Sequence, residues 1–216
     1  KAAVRTLEAL GVEVLIPPAP GSGRAPLSQG MIDTARTKAE RVTEELAPYV
    51  EAGYDVVVIE PSDVAMFRGD YDRLLGEDRA EPLAENSYEI MEFVYGLLAN
   101  GADPSALNTA DDETTVGYHS HCQQRTMGLA EYTHQVLDQC GYDIEASDAE
   151  CCGMAGSFGY KEQYYDLAMD VGANLETQLR EMEAERIVAS GTSCTDQIGD
   201  LLGAEPDHAI ELIAPE

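Results

Sequence analysis

Apolar positions along this chain follow two rhythms. Short runs rich in β-branched and aromatic residues, "VEVLIP" (12–17), "DVVVIEP" (55–61), "TVGYHS" (115–120), "YDIEASD" (142–148) and "RIVASG" (186–191), predict strands. Between them apolar residues recur at helical spacing near 2–10, 28–51, 64–75, 82–99, 123–140, 157–183 and 195–203. Strands that alternate with helices imply parallel pairing through crossover helices, hence an α/β fold with Rossmann-like parallel-sheet units. The stretch "GLLANGADPSAL" (96–107), with its Gly, Asn, Pro and Ser, is the candidate junction between two halves.

The halves read as copies of one another. "LEALGVEVLIPPAPGSG" (7–23) parallels "LDQCGYDIEASDAECCG" (137–153): a helix end, a glycine, a strand, then a loop closing on glycine. Ten positions separate Gly11 from Gly21, and ten separate Gly141 from Cys151. Ser22 to Asp63 spans 41 positions and Cys152 to Cys194 spans 42. Repetition with kept spacing predicts one structural unit duplicated, as 1–105 and 106–216. The first copy carries Gly21, Ser22 and Asp63 where the second has Cys151, Cys152 and Cys194, and it lacks a counterpart of the strand at 115–120. The opening "KAAVRTLEALG" begins inside a helical pattern, so the chain reads as a fragment of a longer polypeptide.

Charge narrows the partners. Asp and Glu number 41 against 13 Lys and Arg, a formal charge of −28. Such a field argues against nucleic acid or an anionic membrane as partner. The acids are spread along amphipathic helices rather than gathered in a tail, as on a solvated folded surface. Few lysines, many acids and no Trp resemble proteins of salt-loving archaea, where molar salt screens self-repulsion. No apolar run reaches the ~20 residues of a membrane span, and no secretory signal opens the chain. The expected location is the cytoplasm, or the inner face of a membrane reached through partners.

Five cysteines, Cys122, Cys140, Cys151, Cys152 and Cys194, all lie in the second half. An odd count favours reduced thiols over a disulfide framework. Cys122, the pair Cys151–Cys152, and Cys194 each follow the end of a different predicted strand. In an open parallel sheet those carboxyl ends share one rim, where ligands bind. Each is read as preceding a helix start, whose partial positive charge favours thiolate. Four convergent thiolates need a cation, so a metal or iron–sulfur centre is the expected occupant. Spacing alone does not separate iron–sulfur from zinc. Free cysteine also serves as a small buried apolar residue; Cys140 is read that way, and for Cys122 alone both readings stand. His119 and His121 flank the site, and His121 is the further candidate ligand. Gly153, Gly156 and Gly159 are read as turn residues whose amides can also donate to sulfur. "GMAGSFG" lacks dinucleotide spacing, and no Ser-His-Asp order, HExxH or P-loop appears.

These residues resemble the cysteine-rich CCG domain family: a Cys, a Cys-Cys-Gly about thirty residues later, then a CxxC-type element. Here they run as Cys122, 28 residues, Cys151-Cys152-Gly153, 41 residues and Cys194. The family usually carries two copies. It occurs in heterodisulfide reductase, in the iron–sulfur subunits of glycolate oxidase and anaerobic glycerol-3-phosphate dehydrogenase, and in lactate-utilisation proteins. "CCGMAGSFGY" and "SGTSC" are most similar to the C-terminal part of FAD-linked oxidases acting on D-lactate or D-2-hydroxyglutarate. The resemblance implies an iron–sulfur cluster, or zinc, on Cys122, Cys151, Cys152 and Cys194, with Gly153 beside it. Gly191 stands where the first Cys of the CxxC element is expected. The resemblance further implies an electron-transfer module whose flavin, FAD, lies outside this chain, on a domain or subunit of the same oxidase. Such a fragment does not turn over substrate alone. The alternative is a zinc-binding or metal-free structural domain of the same complex.

Overall fold

The computed structural model describes residues 1–110 and 114–216. In chain order the helices and strands are α1 (Ala2–Ala9), α2 (Arg24–Ser28), α3 (Ile32–Glu51), β1 (Val56–Val58), α4 (Pro61–Ala65), α5 (Tyr71–Leu75), α6 (Glu77–Glu85) and β2 (Ser87–Glu89). There follow α7 (Ile90–Ala99), β3 (Thr115–His119), α8 (Cys122–Thr126), α9 (Ala130–Gln139), β4 (Asp143–Ala146), α10 (Tyr165–Glu181), β5 (Arg186–Ala189), α11 (Thr192–Leu202) and α12 (Ala209–Ile213). The fold is mixed α/β with two small parallel sheets. The chain groups into two compact units, Leu15–Glu89 and Lys1–Val14 with Ile90–Glu216. These boundaries fall at places other than the 105/106 junction of the repeat reading.

In the Leu15–Glu89 unit, α3 buries Ala35, Ala39, Val42 and Leu46, spaced four, three and four apart on one face. That face packs with Met66, Phe67, Tyr71, Leu74 and Leu83. Its sheet is the parallel pair β1–β2, with Val57 opposite Tyr88. In the other unit the order is β4-β3-β5, all parallel, and Val188 of β5 forms one further parallel bridge to Asp207. There α10 buries Ala168, Gly172, Leu175 and Leu179, again at four, three and four. Its core gathers Leu175, Leu179, Ala189 and Ile198 with Cys152 and Cys194.

Three local constructions recur. Helices α1 and α9 both end on a left-handed glycine, Gly11 (φ +84) and Gly141 (φ +85). The closing bonds match, Val12 N to Leu7 O (2.9 Å) and Tyr142 N to Leu137 O (3.1 Å). Gly23 (φ +94) and Gly153 (φ +102) each press on the long helix that follows, where an added Cβ would lie 3.0 Å from the Ala35 carbonyl oxygen and 2.1 Å from that of Ala168. The strand after each long helix then leads directly into α4 or α11.

Four predicted strands form at β1, β3, β4 and β5, each shorter than its apolar run. The run 12–17 forms no strand: among the described residues it has no ladder partner, and Leu15 and Ile16 stand exposed. The helix predicted over 82–99 is broken by β2, where Ser87 and Glu89 are buried on alternate positions beside β1. The helix predicted over 123–140 divides at Gly128 (φ +72) into α8 and α9. The helix predicted from 157 starts at Tyr165, after a glycine-rich turn and a 3₁₀ turn at Glu162–Tyr164.

Candidate functional site

The three strands of the β4-β3-β5 sheet run parallel, so their carboxyl ends lie on one rim. β3 leads through Ser120 and His121 to Cys122, the first residue of α8. β4 leads through Ser147–Glu150 to Cys151 and Cys152, and β5 through Ser190–Ser193 to Cys194 inside the first turn of α11. Arg125 fastens two of these loops. Its Nη1 donates to the Ser120 carbonyl (2.8 Å) and to Ser120 Oγ (3.2 Å), and its Nη2 donates to the Glu150 carbonyl.

Three of the expected sulfurs meet. Cys152 and Cys194 pack in one buried cluster with Cys151 beside Cys152, and Cys152 Sγ donates to the carbonyl of Ser193, the residue before Cys194, at 3.8 Å. The Gly153 amide donates to Cys151 Sγ at 3.4 Å, as expected of this glycine-rich turn. Cys152 and Cys194 are buried and Cys151 is half-buried. Cys122 is exposed at the first residue of α8.

The vicinal pair is held as thiols. The hydrogen bond to Cys152 pushes the Cys151 pKa well above the ordinary range, and burial adds to it. For Cys152 the bond from Cys151 pulls downward, but the bond to Cys194 and burial push it up to about 12. The expectation of thiolates at helix starts is therefore corrected for the vicinal pair, which lies in a turn with α10 beginning only at Tyr165. Among the described residues no group of three His, Cys, Asp or Glu side chains is arranged to hold a metal ion. A soft, thiol-rich donor set suits a thiophilic metal; closing it around an ion requires the thiols to lose protons and turn inward.

His121 lies one loop away, at the N-cap of α8. Its Nδ1 accepts from the Gln123 amide (3.2 Å), and its Nε2 lies 3.2 Å from Ser193 Oγ, one residue before Cys194. Its ring lies against Gly191, where an added Cβ would come 2.5 Å from Cδ2. His119 is fully buried, with Nδ1 2.8 Å from Ser147 Oγ, and burial, then Arg125 and His121, lower its pKa to about 4. Beneath the rim, the Tyr118 hydroxyl donates to Gln124 Oε1 (2.7 Å) and meets Ser190 Oγ (2.8 Å), while Gln124 Nε2 donates to Thr133 (3.2 Å). Sequence reading did not single out Arg125, Ser193 or this buried network. Arg125 had a signal: in a chain dominated by acids, no other Lys or Arg lies between Arg79 and Lys161, and this one stands among the cysteines. Cys140 is buried at the end of α9 with its pKa raised to about 11 by burial, as expected of a packing residue.

The Leu15–Glu89 unit carries a polar contact at Ser22. Ser22 Oγ donates to Asp63 Oδ1 at 2.5 Å, and the buried Tyr71 hydroxyl donates to the Ser22 carbonyl (2.8 Å). Burial raises the Asp63 pKa although the Ser22 bond opposes it.

A parallel sheet whose rim gathers cysteines from successive loops defines a cysteine-rich α/β domain. Residues 116–199 match the profile of the CCG family, described as a cysteine-rich domain. Over nearly the whole chain the sequence is similar to several curated proteins, among them three from different bacteria. D-2-hydroxyglutarate dehydrogenase of Pantoea ananatis is 24% identical over 217 residues, covering 97% of this chain and 20% of that protein. A subunit of the anaerobic glycerol-3-phosphate dehydrogenase of Escherichia coli is 26% identical over 214 residues, covering 98% and 53%. Lactate utilization protein A of Bacillus velezensis is 28% identical over 215 residues, covering 94% and 84%. The chain thus spans about a fifth and about half the length of the first two. No helix among the described residues is long and apolar enough to cross a membrane.

Proposed function

We propose that this chain is the iron–sulfur electron-transfer module of a flavin-linked 2-hydroxy-acid dehydrogenase, built from two CCG-type repeats. The repeat at 106–216 carries the centre, and the repeat at 1–105 is degenerate. The observation that carries the reading is the meeting of Cys151, Cys152 and Cys194 at the carboxyl rim of a parallel sheet. The CCG match and the names of the relatives support the redox setting. The duplication is supported by the paired glycines, the equal burial rhythm of α3 and α10, and the Ser22–Asp63 contact at the positions of Cys152 and Cys194.

Cys151, Cys152 and Cys194 would hold the group, with Cys122 completing the set from α8. An iron–sulfur centre supplies a one-electron carrier. The chain's own part is to bury Cys152 and Cys194 away from water, to donate the Gly153 amide to Cys151, and to fix the loops through Arg125. The FAD and the hydroxy-acid site belong to another domain or subunit. The acidic surface suits solvent of high ionic strength, where screening removes self-repulsion.

Zinc is the second reading, favoured by one observation. His121 Nε2 lies 3.2 Å from Ser193 Oγ, beside Cys194, so His121 turned toward Cys151, Cys152 and Cys194 would give the tetrahedral count of a zinc site. Metal analysis with a visible spectrum on anaerobically prepared protein tests both. Iron with acid-labile sulfide and visible absorption supports the electron carrier. Stoichiometric zinc in colourless protein supports the second reading, and protein that takes up neither metal refutes both.

A further inference from the structure

Side chains alternate along β3, the central strand of its sheet. Tyr118 faces α8 and α9, with its hydroxyl on Gln124 and its ring edge-on to His134 (ring centroids 5.2 Å apart). Gly117 and His119 therefore face the other way. A Cβ added at Gly117 would lie 2.8 Å from Ile187 Cδ1 and 3.1 Å from Met182 Sδ. Ile187 and Met182 both pack against the core that contains Cys152 and Cys194. His119 stands opposite Ala189 of β5, itself a member of that core. Its imidazole thus lies on the sheet face that carries Cys152 and Cys194, at the carboxyl rim.

The ring is tied at one nitrogen only. Nδ1 lies 2.8 Å from Ser147 Oγ, in the loop that leaves β4. Nε2 is buried and has no hydrogen-bond partner among the described residues. The two nitrogens of an imidazole point apart, so with Nδ1 turned to the β4 side, Nε2 faces away from it. A buried ring nitrogen without a partner costs free energy unless a group at the site completes it.

We propose that His119 is a hydrogen-bond donor to the centre, with Ser147 as its positioning residue. The Ser147 hydroxyl donates to Nδ1, which holds the ring proton on Nε2, and Nε2–H donates to a sulfur of the centre at Cys152 and Cys194. His119 then acts without being a ligand. A donor at sulfur stabilises the reduced, more negative form and raises the reduction potential. The proposal rests on the iron–sulfur reading above.

The test is a mediated redox titration, followed by visible absorption, of the anaerobically prepared whole protein and of His119→Leu, His119→Gln and Ser147→Ala. Iron and acid-labile sulfide are counted first, and each variant should hold the wild-type amount. His119→Leu should favour the oxidised form about tenfold, a potential ~59 mV lower for one electron. His119→Gln, whose amide still donates, should recover most of that shift. Ser147→Ala, which keeps the ring and removes its tether, should fall between wild type and His119→Leu. Should the buried leucine prevent folding, Ser147→Ala decides, because Ser147 is only half-buried. Ser147→Ala or His119→Leu at the wild-type potential overturns the proposal and leaves the centre in place. Loss of iron in both His119 variants, with iron kept in Ser147→Ala, makes His119 a ligand and also overturns it. Wild-type protein that holds no iron and sulfide overturns the iron–sulfur reading and the proposal together.

Discussion

Gly153 joins the vicinal cysteines to the helix beneath them, and replacing it by alanine measures how tightly that joint is made. Two costs add. At φ +102 the backbone is in a region that residues with a Cβ rarely occupy, which costs roughly 1–3 kcal/mol. The new methyl would also stand 2.1 Å from the Ala168 carbonyl oxygen and 3.1 Å from the Gly172 nitrogen. Both neighbours are backbone on the buried face of α10, so the helix or the cysteine turn must move, an overpacking cost of about 1–3 kcal/mol. Gly153→Ala should therefore lose roughly 2–6 kcal/mol in urea denaturation followed by circular dichroism. Gly203→Ala is the control, because Gly203 has φ +75 with open space around its Cα, and it should lose only about 1–2 kcal/mol. Displacement of the turn should also speed labelling of Cys152, now buried, by a thiol reagent. Equal losses for the two alanine variants, with unchanged labelling, would refute the close packing of turn on helix.

Other outcomes follow from the buried groups. His119 has its pKa depressed to about 4 from 6.5, so the unfolded chain takes up the proton first; its contribution is present above about pH 6.5 and is lost as pH falls toward 4. That loss should reach about 3 kcal/mol and shrink in His119→Asn, as measured by denaturation at pH 7 and pH 4.5; parallel slopes in both proteins would contradict it. Tyr118→Phe strands Gln124 and Ser190, both buried, and should cost about 1–3 kcal/mol in the same assay; an unchanged midpoint would show that the network carries no stability. Cys140→Ala should leave metal uptake at the wild-type stoichiometry while lowering stability by about 1 kcal/mol. Loss of metal in that variant would mean that Cys140 is a ligand.

The sequence was most legible where local rules and tertiary demands agree. β3, β4 and β5 formed where apolar runs lay between glycine-marked turns, because each run found a parallel neighbour. The run at 12–17 had the same local pattern but no ladder partner among the described residues, and backbone without a ladder is not a strand. β2 was hidden in a helical rhythm because three residues are too few to break it; only pairing with β1 defines it. At the site, the meeting of Cys151, Cys152 and Cys194 was readable from their places after strand ends. The protonation of the vicinal pair was not, because it depends on mutual contact and burial that spacing does not reveal. The contact of His121 with Gly191 was equally invisible, since it joins two loops 70 positions apart.

X-ray absorption at the edge of the bound metal, on anaerobically reconstituted protein, tests most directly whether sulfurs from separate loops share one centre. A shell of sulfur scatterers near ~2.3 Å is expected, diminished stepwise in Cys152→Ser and Cys194→Ser. Only oxygen and nitrogen neighbours, or a spectrum identical in both variants, would contradict it.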